Sequence, residues 1–172
     1  MKVAMLENLS DIALESMKSG IPWAGFLQTS SWNGTRKPTE AELRLLANRH
    51  LAFGSSMLTD FLYWSRTGTR PEQRVPGIFD GIITEDGIRT PMYETVKKIH
   101  NEIKETAKTL RKCTFKGIMT ANLTAEENEA IGELRMESFY GKTLPETDRR
   151  LLAGCFLKED GSPLVFTTDE AG

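Results

Sequence analysis

Residues 21–29, IPWAGFLQT, decide the fold. The run is almost wholly apolar, it is bounded by Gly20 and by the Ser30-Ser31 pair, and its length suits a strand better than a helix. A strand with so little polar alternation predicts burial on both faces, as in a parallel sheet. Just upstream, Asn8 or Ser10 is placed to cap a short helix carrying Ile12, Ala13 and Met17 on one face, which Gly20 ends in the left-handed conformation. Downstream, Thr39 and Glu42 form a capping box, so a helix is predicted from there, with Leu43, Leu46, Ala47 and Leu51 at helical spacing and Gly54 as the stop. A second strand is predicted over Met57–Trp64, rich in aromatic and large apolar residues. Helix and strand alternate twice.

Residues 65–89 follow as a long loop broken by Gly and Pro and closed by a Glu85-Asp86-Gly87 turn. Thr90 and Pro91 then mark a helix start. Met92, Val96, Ile99, Ile103, Ala107 and Leu110 make one apolar stripe, with Lys97, Lys98, Lys104 and Lys108 away from it. Beyond Lys112 the character changes. Thr124 and Glu127 cap a short helix, and LLAGCF (151–156) and PLVFTT (163–168) flank Glu159-Asp160-Gly161-Ser162 as a hairpin. A lone hairpin is marginal in water, so the start of a further β domain is expected, its other strands lying outside the chain. The expected division is therefore 1–112 and 113–172, with the sequence cut at both ends.

Composition narrows the function. The 22 basic and 24 acidic residues give a net charge of -2, too little positive field to neutralise a phosphate backbone, so nucleic acid is not expected as a partner. The N-terminus lacks a signal peptide's apolar core, and no stretch approaches the roughly 20 apolar residues that span a bilayer, so no membrane association is read. Cys113 and Cys155 are too few for a disulfide framework or a Cys-rich metal site and read as buried free thiols. His50 and His100 each fall inside a predicted helix with no second ligand at helical spacing, so no metal site is predicted. No cofactor is implied either.

Alternating helices and buried strands favour an α/β parallel sheet. IPWAGFLQTSSW, KPTEAELRLLANRHLAFG, FLYW and GIITEDGIRTPMYETVKKIHNEIK, in that order, resemble the last strands and helices of bacterial β-galactosidase-like (β/α)8-barrel glycoside hydrolases, and LLAGCFLKEDGSPLVF resembles the opening hairpin of the β-sandwich that follows the barrel in such proteins. The resemblance implies an α/β chain holding part of a (β/α)8 (TIM) barrel. Ile21–Thr29 is then the seventh strand, Met57–Trp64 the eighth and Thr90–Lys112 the closing helix. A barrel takes about 250 residues and closes only with all eight strands, so the chain would hold about a quarter of one.

The implied chemistry is hydrolysis of O-glycosidic bonds in a carbohydrate partner, which needs two carboxyl groups. In related barrel glycosidases a glutamate ends the seventh strand. Gln28 stands there instead, and an amide cannot serve as a carboxylate nucleophile. The acid, carried on the fourth strand in such enzymes, would lie outside the chain, so the piece is expected to be inactive alone. The catalytic residues are unknown, and the substrate-binding candidates are Gln28, Trp32, Tyr63 and Trp64. Gln28 can hydrogen-bond a sugar hydroxyl or satisfy a loop backbone group. The flat rings of Trp32, Tyr63 and Trp64 can stack on a pyranose or plug the barrel mouth. Trp23, at the other end of its strand, reads as packing. Asp60, mid-strand, calls for a structural partner such as an arginine. Glu40 and Glu42 are explained by capping, and Arg66, Arg70 and Arg74 by a solvated loop.

Overall fold

A computed structural model describes residues 3–30, 36–65, 81–84 and 86–170. Among them are four α-helices and two sheets, a mixed α/β architecture. The order is α1 (Val3–Ser19), β1 (Ala24–Gln28), α2 (Glu40–Ala52), β2 (Met57–Phe61), α3 (Pro91–Leu110), β3 (Thr114–Ala121), α4 (Ala125–Ile131), β4 (Arg135–Met136), β5 (Leu151–Leu157) and β6 (Pro163–Asp169). The chain divides into two compact units. One comprises Met1–Gly25, Asn48–Met57 and Glu105–Gly172, the other Phe26–Ala47 and Leu58–Lys104.

The first unit is built on a sheet of order β4-β3-β5-β6. β5 and β6 form the expected hairpin, in register from Leu151 opposite Asp169 to Leu157 opposite Pro163, and Gly161 takes φ 78° in its turn. Instead of standing alone, the hairpin pairs with β3, antiparallel to β5, so the chain itself supplies two further strands. Residues 114–121 escape a pattern reading because Lys116 and Gly117 interrupt the apolar run and a bulge shifts the register between Phe115 and Gly117. A side chain at Gly117 would place its Cβ 2.7 Å from the Leu134 carbonyl oxygen.

Leu6, Leu9 and Ala13 of α1 join Ala52, Phe53, Ile118, Ile131, Leu134 and Leu152 in one buried cluster, and Met119, Phe139, Ala153 and Cys155 form a second. The apolar stripe of α1 thus begins at Leu6, which is why the helix starts at Val3 and not at an Asn8 or Ser10 cap; Ser10 is buried inside it. Gly20 ends it as expected, with φ 70°. Thr124 and Glu127 form the expected reciprocal capping box at α4. Burial opposes ionisation of Glu127, yet the Thr124 backbone N–H and the Arg150 guanidinium hold its pKa below the ordinary value. A buried ion pair joins Arg49, whose Nε donates to Glu170 Oε2 at 2.9 Å, to a carboxylate that is fully enclosed. Cys155 is buried and its thiol is pushed up to about 11 by desolvation, whereas Cys113, expected to be buried, is half-buried, its Sγ donating to the Thr109 carbonyl.

In the second unit Leu27, Leu43, Ala47, Ile82, Met92, Val96, Ile99 and Ile103 are buried. The capping box of α2 is present: Thr39 N donates to Glu42 Oε2 at 2.8 Å and Glu42 N to Thr39 Oγ1 at 3.3 Å. Arg36 and Thr39 together lower the Glu42 carboxyl to about 2. Arg44 bridges Glu40 of its own helix to Glu102 of α3, and Lys98 also reaches Glu40, so charges tie α2 to α3. The loop leading to α3 folds around Gly87, with φ 80°. Thr90 precedes Pro91 as expected, but its hydroxyl donates to the carbonyls of Gly81 and Ile82.

Candidate functional site

β1 and β2 pair side by side. Ser56 N donates to Trp23 O and Thr29 N to Phe61 O, so the partner numbers rise together and the strands run parallel, joined by α2 as the crossover. The strands are shorter than the apolar runs that contain them. β1 stops at Gln28, and β2 at Phe61, where the chain turns through a cis Phe61–Leu62 peptide bond.

Burial in β1 alternates along the strand. This corrects the expectation of a strand enclosed on both faces. Gly25 and Leu27 face the helices; at Gly25 an added Cβ would fall 2.0 Å from His50 Cδ2 of α2, so no larger residue fits. On β2, Asp60 faces α3, where Asp60 Oδ1 lies 3.4 Å from His100 Nε2. The partner of this mid-strand carboxylate is therefore an imidazole and not the arginine expected. On the opposite face Phe26 is 64% and Met57 56% exposed, and Phe26 meets Phe61 edge-on at 6.5 Å.

The C-terminal ends of the two strands carry most of the candidate binding residues. Gln28 is exposed at the end of β1, and its Nε2 donates to the Ser30 carbonyl at 3.3 Å. Thr29 and Ser30 behind it are fully buried; Ser30 Oγ donates to the Phe61 carbonyl at 3.2 Å, while Thr29 Oγ1 has no hydrogen-bond partner among the described residues. Past β2, Tyr63 and Trp64 are both more than half exposed. Their backbone is fixed from behind. Ile83 N donates to Tyr63 O at 2.8 Å, Ser65 N to Ile83 O at 2.7 Å, and Trp64 bridges Ile83 in parallel fashion. Gly81 packs so closely on Leu62, Trp64 and Ser65 that a Cβ there would lie within 3 Å of backbone atoms of each. The pattern reading missed this 81–83 segment, placing it in a loop. Its signal was the apolar Ile82-Ile83 pair between glycine and threonine.

Trp32, the remaining candidate, lies outside the described residues, as do Arg66, Arg70 and Arg74. The arrangement offers two exposed aromatic rings and one exposed amide on a hydrogen-bonded backbone, suited to hydrogen bonding and stacking. Glu40 and Glu42 are engaged by cations or by the cap. Among the described residues no group of three or more His, Cys, Asp or Glu side chains is arranged to hold a metal ion, and no helix is long and apolar enough to cross a membrane. No protein-family model matches the chain, and no curated protein matches it.

Proposed function

We propose that the chain is the C-terminal part of a (β/α)8-barrel glycoside hydrolase-like protein, with β1–α2–β2–α3 as its last two βα units and the C-terminal strands as the start of the following β domain. The parent protein hydrolyses O-glycosidic bonds in β-linked sugars, and the chain alone is inactive. One observation carries this reading: a parallel strand pair, covered by helices on one face, leaves Phe26 and Met57 more than half exposed on the other. Parallel sheets are ordinarily covered on both faces, and two strands alone are marginal. In a barrel that face is the packed interior, completed by the remaining strands. Tyr63 and Trp64 then stand at the mouth as stacking platforms for a sugar, and Gln28 presents its amide to a hydroxyl. The catalytic carboxylates belong to other strands. No cofactor enters this chemistry.

A panel of nitrophenyl glycosides tests the inactivity of the chain. No turnover is expected, and clear turnover by the purified polypeptide would overturn it. A second reading, a non-catalytic carbohydrate-binding or scaffolding protein on a decayed barrel, draws on Gln28, an amide where hydrolysis calls for a carboxylate. It predicts saturable binding of β-linked oligosaccharides by the full parent protein without hydrolysis.

A further inference from the structure

Among the described residues β6 is the outer strand of its sheet. The phase of its pairing with β5 decides which way its backbone groups point. Lys158 N donates to Ser162 O at 3.0 Å at one end of the hairpin, and Glu170 N to Arg150 O at 2.7 Å at the other. The register between those ends runs without a bulge, so hydrogen-bonded and non-hydrogen-bonded pairs alternate along it. Leu164, Phe166 and Thr168 therefore turn their N–H and C=O groups to β5, while Val165 and Thr167 turn theirs outward. Among the described residues nothing takes up these outward groups. Pro163, Val165, Thr167 and Asp169 are all exposed, Val165 to 42%.

An open strand edge is a template for a further strand, and proteins that must keep one open blunt it with lysines or bulges. β6 has neither. From Leu164 to Thr168 it carries only uncharged residues, all suited to a strand.

The strand's own pattern identifies the occupant. Set antiparallel against itself about Phe166, β6 places Val165 of each copy opposite Thr167 of the other, so each outward N–H meets an outward carbonyl. Asp169, the one charged residue of the strand, then falls opposite Pro163, which has no N–H to offer. A parallel arrangement would instead set Asp169 beside Asp169. The antiparallel one also brings the Glu159-Asp160 turn of each copy to the strand end of the other where Arg149, 71% exposed in its side chain, reaches Asp169. We propose that two copies of this chain join through their β6 strands in this register, merging two four-stranded sheets into one. All of these residues belong to the first unit, so the pairing does not depend on a barrel.

Sedimentation velocity of the full chain over a concentration series, paired with amide exchange at the same concentrations, tests the proposal. A reversible monomer–dimer equilibrium is expected. Exchange at Val165 and Thr167 slows as concentration rises, while exchange at Leu164 and Phe166, already bonded within the hairpin, does not change. Thr167→Pro removes an outward donor without touching the pairing to β5, deletes half of the bonds between copies and weakens association about thirtyfold. Val165→Lys with Thr167→Lys keeps every donor but sets lysines opposite one another, and leaves a folded monomer by circular dichroism. The same added charge at exposed positions elsewhere, Asn8→Lys with Thr143→Lys, leaves the dimer intact. A chain that stays monomeric throughout the series, exchange at Val165 and Thr167 that ignores concentration, or association that survives the β6 lysine pair overturns the proposal.

Discussion

His100 of α3 and Asp60 of β2 face each other with Nε2 and Oδ1 3.4 Å apart, both atoms buried, so that a helix is tied to a strand through a titratable contact. The carboxylate raises the imidazole pKa above its ordinary value of 6.5, against the opposing effect of partial burial.

Stability should therefore depend on pH through this pair. A raised folded-state pKa means the contribution is fully present below pH 6.5 and lost as pH climbs through the higher folded value. Thermal unfolding of the wild type and of His100→Gln across a pH series is expected to differ most below pH 6.5 and to converge once pH passes the raised folded-state value. The difference should reach at most about 1 kcal/mol, because the imidazole is partly exposed to solvent. A difference that does not vary with pH would contradict the account.

The Arg49–Glu170 pair makes a sharper prediction, because it is enclosed. Glu170→Gln leaves a buried guanidinium without its counter-charge and is expected to cost about 3 to 5 kcal/mol in denaturant unfolding. Replacing both partners, Arg49→Met with Glu170→Leu, should recover most of that loss. If the double variant is no more stable than the single one, the pair is not the coupled unit described.

Gly25 sets the distance between β1 and α2. Gly25→Ala drives a methyl group into His50 and is expected to destabilise the protein by about 1 to 3 kcal/mol. Adding His50→Ala should return part of it. Equal stability of Gly25→Ala and wild type would show that the close approach is not needed.

Thr124→Ala removes the hydroxyl of the α4 capping box and is expected to cost about 1 kcal/mol. Amide exchange at Glu127, whose N–H bonds that hydroxyl at 3.2 Å, should accelerate in step. Unchanged exchange there would place the stabilisation elsewhere.

Much of this structure is legible in the sequence wherever a local rule operates. Both Thr-x-x-Glu boxes, the glycine ending α1, the hairpin around Gly161 and the apolar stripe of α3 each announce themselves within a few residues. What stays hidden depends on distant partners. β3 carries a lysine and a glycine mid-run, and its strand character comes from β5, whose paired residues lie 30 to 43 positions on. The upstream start of α1 is set by Leu6, buried in a core whose other members come from the C-terminal sheet. At the candidate site, Gln28, Tyr63 and Trp64 are readable from their places at strand ends. The 81–83 segment that braces Tyr63 and Trp64 is not, because its pairing is a tertiary contact. The alternating burial of β1 likewise follows from tertiary packing, which no local pattern encodes.

β1 and β2 are proposed above to be neighbouring staves of a larger parallel barrel. Genomic sequence upstream of the Met1 codon tests it most directly. An in-frame stretch encoding six further βα units, with glutamates at strand ends, is the expected result; coding sequence there with no alternating strand and helix pattern would contradict it.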